Sequence, residues 1–236
     1  MLSLTPKRQA GVHLAFCHGG EVRGNWALHY GVLRAADAAG RGLIKSVGVA
    51  QGLYIAKNRN EIVKRFLDSC GETYLMFMDH DNPFEVSQFY ALYDAAVKHQ
   101  APILGAWYCS FMGDGIQCVW LEDKPDGKMG TVVNFTGDVQ EVGTVGMGFT
   151  LIHRDVLEGM RWVRPKNNSA WFGHDERKNE RGETETIGED TTFCTRAAKL
   201  GFKTYGHSGI CIGHDKRIML TVDEYNGAQP KLANVG

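Results

Sequence analysis

The sequence carries almost no net charge: 26 lysines and arginines stand against 27 aspartates and glutamates, a formal −1 at pH 7. No global field draws such a chain onto nucleic acid or an anionic membrane, so contact with DNA would need a local patch. No segment approaches the roughly 20 apolar residues that span a bilayer. The stretch Met1 to Arg8 lacks the apolar core of a secretory signal. The six cysteines, Cys17, Cys70, Cys109, Cys118, Cys194 and Cys211, include no Cys-x-x-Cys pair, which argues against a zinc knuckle or a disulfide framework. They read as small buried hydrophobes in a reducing cytoplasm, where the protein is expected to be soluble. Also missing are the Gly-x-Gly-x-x-Gly fingerprint of an ordinary NAD site, a Walker A loop and any internal repeat. The 236 residues, 43% of them hydrophobic and 22% charged, suffice for one α/β domain with a core of its own.

What is present is an alternation of strands and helices. An apolar run from Val12 to Cys17 ends in His18-Gly19-Gly20, after which Trp26, Leu28, Val32, Leu33 and Ala36 recur at helical spacing until Gly40 and Gly42. Ile44 to Ala50 reads as a second strand. Lys57-Asn58-Arg59-Asn60 then leads into a helix that buries Ile62, Val63, Phe66 and Leu67, with Asn60 as its N-cap. Tyr74 to Met78 is a third strand, Phe84 to Val97 an amphipathic helix and Pro102 to Tyr108 a fourth strand. Such alternation predicts a parallel, doubly wound sheet whose ligands sit beyond the carboxyl ends of the strands. His18, the pair Lys57 and Arg59, and Asp79 to Asp81 all fall at such ends. Lys57 and Arg59, where a strand hands over to a helix, suit phosphate or nucleotide contacts.

The character changes after Tyr108. Six glycines between Ser110 and Val145, with β-branched runs at Thr131 to Val133 and Val139 to Val142, predict antiparallel strands added to the sheet. Gly146 and Gly148 suggest close backbone approach to a ligand, or a plain β-bulge. A helix follows from Arg154 to Met160. The polar stretch from Arg161 to Ile187 is expected to form a lid, with Trp171 and Phe172 as exposed aromatics for a sugar or base. Lys166, Arg177, Lys178 and Arg181 in it are a candidate basic patch. Gly188-Glu189-Asp190 opens a helix that buries Phe193, Ala197 and Leu200 and stops at Gly201; Lys203 to Tyr205 returns as a strand. The run Ile210-Cys211-Ile212 then delivers His214.

At Asp79-His80-Asp81 the apolar third strand stops on two carboxylates, and Pro83 turns the chain away. Side chains at i and i+2 of a strand share a face, so Asp79 and Asp81 could converge on one hard cation while His80 points away. A helix cap by Asp81 and Asn82 before Pro83 is the plainer alternative, and Asp-x-Asp alone is a weak signal.

Taken together, Asp79-His80-Asp81, Gly146-Met147-Gly148-Phe149, Gly188-Glu189-Asp190, Lys199-Leu200-Gly201-Phe202-Lys203 and Gly213-His214 come in an order that resembles the GT-A fold glycosyltransferases, particularly the family-2-like group. The similarity runs from about Val12 to His214. It implies a Rossmann-like α/β fold: a mostly parallel central sheet, helices on both faces and a small antiparallel addition. A single GT-A domain over 1–236 would have a donor half at about 10–109, an acceptor half at about 110–215 and a tail at 216–236. The resemblance makes Asp81 a direct ligand of Mn²⁺ or Mg²⁺, with His214 another ligand and Asp79 on ribose or metal. It makes Glu189 and Asp190 the catalytic acids, with Asp190 the base. The donor is a nucleoside-diphosphate sugar, a UDP-sugar first, with contacts expected from His18, Lys57, Arg59, Asp79, His80, Gly146 and Gly148. The acceptor is a hydroxyl on a glycan, lipid, protein or modified nucleic acid, met by Trp171 and Phe172, and the transfer inverts. After Gly19 no family signature for the nucleotide base is recognisable. Two other readings compete: a metal-dependent phosphohydrolase using Asp79, Asp81, His174, His207 and His214, and a non-catalytic nucleotide-sugar-binding protein.

Overall fold

Strand β1 (Val12–His18) sends Val12 and Leu14 into one apolar layer and Ala15 and Cys17 into another, so both faces of its sheet are covered. The computed structural model describes residues 10–112, 115–118, 120–123, 129–132, 134–162, 171–178 and 182–216. After β1 come α1 (Gly24–Ala39), β2 (Ile44–Gln51), α2 (Ile55–Ser69), β3 (Tyr74–Met78), α3 (Val86–His99) and β4 (Ile103–Trp107). Two short hairpins follow, β5 (Cys109–Met112) with β6 (Gly115–Cys118), and β7 (Leu121–Asp123) with β8 (Met129–Thr131). The remaining elements are β9 (Val139–Val142), β10 (Phe149–His153), α4 (Arg154–Arg161), β11 (Glu176–Lys178), β12 (Thr184–Thr186), α5 (Glu189–Lys199) and β13 (Thr204–Cys211). No helix among the described residues is long and apolar enough to cross a membrane.

Seven strands form one sheet in the order β2-β1-β3-β10-β4-β13-β9. Five run the same way; β10 and β9 run against their neighbours. Helices α2, α4 and α5 cover one face through Phe66, Leu157 and Phe193, and α1 and α3 cover the other through Leu33 and Leu92. The expected fold class therefore holds, with two departures. The antiparallel addition lies at the edge as β9 but also in the middle, where β10 separates β3 from β4. And the two apolar runs after Gly201 are one strand, β13, whose register slips between His207 and Cys211.

Three helix details differ from the sequence reading. Helix α2 begins at Ile55, so Lys57 and Arg59 lie in its first turns and not in the loop before it. Asn60 does not cap it: Asn60 Nδ2 donates to the Phe172 carbonyl at 2.7 Å and Asn60 Oδ1 accepts from the Phe172 N–H at 3.0 Å. On α1 the buried stripe is Trp26, Leu33 and Asp37, while Leu28 and Val32 are exposed. Asp37 earns its burial by accepting from the backbone N–H groups of Leu43 and Ile44, tying the end of α1 to the start of β2. Lys166, Arg181, Val133 and residues 217–236 lie outside the described residues.

Candidate functional site

The carboxyl ends of β1, β3, β4 and β13 share one rim, and the antiparallel β10 starts at that same rim. Residues 146–148, just before β10, therefore pass beside the end of β3, where the Asp79 N–H donates to the Gly148 carbonyl at 2.8 Å. At Asp79 the strand stops: Asn82 N–H donates back to the Asp79 carbonyl at 3.0 Å and closes a turn. Two-residue alternation does not survive a turn, so Asp79 and Asp81 do not converge on one point as the strand pattern led us to expect. They reach different partners.

Asp79 turns to Arg59. This arginine is 2% exposed, and its guanidinium meets Asp79 at 3.0 Å, Glu189 at 3.0 Å and Asp190 at shorter range. Phe77 and Phe172 wall it in, with ring centroids 5.8 and 5.7 Å from Cζ. Burial works against the charge, but Asp190, Asp79 and Glu189 outweigh it and keep the guanidinium protonated. Arg59 is thus committed to three carboxylates rather than held free for a phosphate. Asp190, at the start of α5, also accepts from the Met147 N–H at 3.0 Å, which joins α5 to the turn before β10. Burial pushes the Asp190 carboxyl up to about 6, against the pull of Arg59. A helix N-terminus favours ionisation, but here desolvation is the larger effect, although a group at about 6 is still mostly ionised at pH 7.

Asp81 turns the other way, to His214 and Lys216. His214 Nε2 stands 3.4 Å from Asp81 Oδ2, and Lys216 Nζ donates to that same oxygen at 2.7 Å. Burial disfavours the Asp81 charge, yet the hydrogen bonds from His214 and Lys216 prevail and hold its carboxyl well below the usual range. His214 Nδ1 lies 2.7 Å from the Cys109 carbonyl, to which it donates, and this fixes the ring with Nε2 toward Asp81. Tyr108 separates the two carboxylate groups. Its ring packs edge-on against His214, its hydroxyl accepts from the Gly148 N–H at 3.1 Å, and its burial beside Asp190 and Asp79 raises its pKa.

Among the described residues no three His, Cys, Asp or Glu side chains converge as a metal cage. Asp81 and His214 nevertheless form a suitable half-site. Mg²⁺ and Mn²⁺ sites commonly take one or two protein ligands and complete the shell with substrate phosphates and water. A carboxylate oxygen beside an imidazole nitrogen whose ring is fixed from behind is that donor set.

The other residues fall as follows. His18 is half-buried at the end of β1 and accepts from the Gly20 N–H, and Lys57 is exposed on α2. His80 Nδ1 is enclosed without a hydrogen-bond partner among the described residues. A Cβ on Gly148 would run into Asn82 Oδ1 and the Tyr108 hydroxyl, so that glycine is required by internal packing. Gly146 offers its carbonyl to Thr150 Oγ1 at 2.8 Å. Trp171 and Phe172 are not exposed lid aromatics: Trp171 Nε1 donates to the Leu157 carbonyl, and Phe172, fully buried, stacks on Phe193 at 4.6 Å. His174 contacts the Ile187 carbonyl and His207 sits on β13 against β9, so the two-metal set of the phosphohydrolase reading is not assembled. A cavity of about 560 Å³ runs along α5, lined by Thr191, Thr195, Glu141 and Lys203, and contains none of the rim carboxylates.

No protein-family model and no curated protein matches the chain. Solved structures do. The crystal structure of A197 from STIV superposes with a TM-score of 0.56 at 20% identity, over 88% of this chain and 86% of that one. The crystal structure of GalNAc-T7 with UDP, GalNAc and Mn²⁺ gives 0.53 at 10% identity, over 92% of this chain. The fold is GT-A-like. This chain spans only 49% of the GalNAc-T7 chain, and at such identities the likeness speaks to the fold alone. On that GT-A-like frame, the sequence reading missed Tyr108 and Lys216 and misjudged Arg59. Tyr108 closes the fourth apolar run, and Lys216 follows His214 by two residues, so both positions carried a legible cue. Nothing local marks Arg59 as buried, because its partners lie 20, 130 and 131 residues away.

Proposed function

We propose that the chain is a metal-dependent glycosyltransferase that moves a sugar from a nucleoside-diphosphate sugar to an acceptor hydroxyl with inversion. The observation that carries this reading is the split of the rim into two carboxylate groups, Asp81 with His214 on one side of Tyr108 and Asp190 with Glu189 on the other. Asp81 and His214 would hold a divalent cation, whose charge offsets that developing on the departing diphosphate. Asp190 takes the acceptor proton onto a carboxylate oxygen. As it does so, the acceptor oxygen bonds to the anomeric carbon, and the bond to the diphosphate oxygen breaks with its electron pair leaving on the diphosphate. Arg59 holds Asp190, Glu189 and Asp79 in register. Residues of about 10–109 form the donor half and those of about 110–215 the acceptor half. His18, Lys57, His80 and the 146–148 turn line the donor side; Arg59 acts there through Asp79. The buried Phe172 walls Arg59 and Trp171 is tied to Leu157, so acceptor contact is left to other residues. The UDP and Mn²⁺ in the GalNAc-T7 structure make a UDP-sugar with Mn²⁺ the first pair to try.

Calorimetry with UDP and Mn²⁺, followed by mass spectrometry of a nucleotide-sugar panel read out as hydrolysis, tests the reading. Absence of metal-dependent nucleotide binding would end it. Given binding, Asp190→Asn should lower turnover roughly 10²–10⁴-fold, the usual range for a general base, while nucleotide affinity stays unchanged. Loss of affinity instead would make Asp190 a structural residue.

A further inference from the structure

Residues 213–216 are zipped against the turn that follows β3. Gly213 N–H donates to the Pro83 carbonyl at 3.0 Å, Asn82 Nδ2 to the Gly213 carbonyl at 2.8 Å and Asp215 N–H to the Asp81 carbonyl at 2.6 Å. Arg23 adds an ion pair to Asp215 at 3.3 Å. This backbone strap fixes His214 and Lys216 two residues apart in an extended segment, so both side chains reach Asp81 from one side. There they play unequal parts. His214 donates from Nδ1 to the Cys109 carbonyl, which aims Nε2 at Asp81 Oδ2, 3.4 Å away. The Lys216 ammonium donates to that same oxygen at 2.7 Å, so a divalent cation arriving at Asp81 Oδ2 would meet a resident positive charge there. The Lys216 side chain is 37% exposed on a flexible four-carbon stem, so it can leave without moving the strap that keeps His214 in place.

We propose that Lys216 is a built-in competitor for the divalent cation: its ammonium neutralises Asp81 while the metal is absent and is displaced when the metal binds. The inference rests on the metal reading of Asp81 and His214 given above. Its consequence is that the apparent metal affinity of this chain is set partly by its own lysine, because a ligand that must expel a resident charge binds more weakly by the occupancy of that charge.

The test is Mn²⁺ titration by calorimetry and by the Mn²⁺ paramagnetic resonance signal, first without and then with UDP, on the full chain and on Lys216→Met, Lys216→Arg and Asp81→Asn. Lys216→Met should bind Mn²⁺ about two- to fivefold more tightly than the wild type, the scale of one partly exposed ion pair. Lys216→Arg, which keeps a cation, should stay within about twofold of the wild type, and Asp81→Asn should not bind. If Lys216→Met binds Mn²⁺ with unchanged or weaker affinity while the wild type binds it and Asp81→Asn does not, the competitor role is refuted and the metal site stands. Failure of every protein to bind Mn²⁺, with or without UDP, overturns the metal reading and the competitor role with it.

Discussion

Replacing Arg59 by methionine tests whether the rim is held together electrostatically. The guanidinium is 2% exposed and balances Asp79, Glu189 and Asp190, whose side chains are 24%, 20% and 27% exposed. With it present the four groups sum to −2; without it they sum to −3 in the same volume. Removing one partner of a buried ion pair costs about 3–5 kcal/mol, and the partial exposure of the carboxylates puts this case near the lower end, at about 3 kcal/mol. Methionine keeps much of the contact with Phe77 and Phe172, so the deficit is mainly one of charge. In a chain of this size it corresponds to a fall in Tm of about 6–12 °C. Urea unfolding at pH 8 and pH 5 separates charge from packing: protonation of Asp190, whose carboxyl burial raises to about 6, relieves the crowding, so the deficit should shrink at pH 5. A loss below about 1 kcal/mol at pH 8, or an equal loss at both pH values, would refute the view that Arg59 is the electrostatic keystone of the site.

Asp190 makes a second prediction. Its carboxyl is raised from 3.8 to about 6 by burial, and a raised acid stabilises the fold below the unfolded pKa and withdraws that stability as pH climbs through the folded one. The wild type should therefore lose up to about 3 kcal/mol from this group between about pH 4 and pH 7. Asp190→Asn lacks that loss, though its single oxygen cannot accept from both Arg59 and Met147 N–H. It should still be about 1 kcal/mol more stable than the wild type at pH 8 and no better at pH 4 in chemical denaturation; lower stability at pH 8 contradicts the assignment. Phe172→Ala should cost about 3–5 kcal/mol through the lost stack on Phe193 and the lost edge contact with Phe77. Thermal melts would register it, whereas a lid residue would change acceptor KM and leave Tm alone.

Periodicity made the backbone legible. The runs at Val12, Tyr74 and Ile103 were visible as strands because burial on both faces needs a mostly apolar segment, while the edge strand at Ile44, which carries Lys45 and Ser46, was visible by Ile44, Val47 and Val49; glycine and proline mark the ends. Position at a strand's carboxyl end likewise singled out His18, Asp79 and Asp81 without any contact being known, though the same rule placed Lys57 and Arg59 in a loop when they lie inside α2. The apolar stripe on α1 was overcounted, since Leu28 and Val32 have the right spacing and yet face outward.

The order of strands and helices and the rim on which the polar residues gather were thus determined by the chain's own pattern of apolar and polar residues, whereas the pairing of Asp81 with His214 was expected only from the resemblance to the GT-A glycosyltransferases. Tertiary structure alone decided that β10 enters between β3 and β4, that Asp79 and Asp81 part company at the turn, and that Arg59 is buried among carboxylates. It also decided that Phe172 belongs to the core. Local periodicity reports which residues are shielded, but not by what. The Arg59 to Glu189 pair closes a separation of 130 residues, and only the sheet's long-range pairing brings such partners within 3.0 Å.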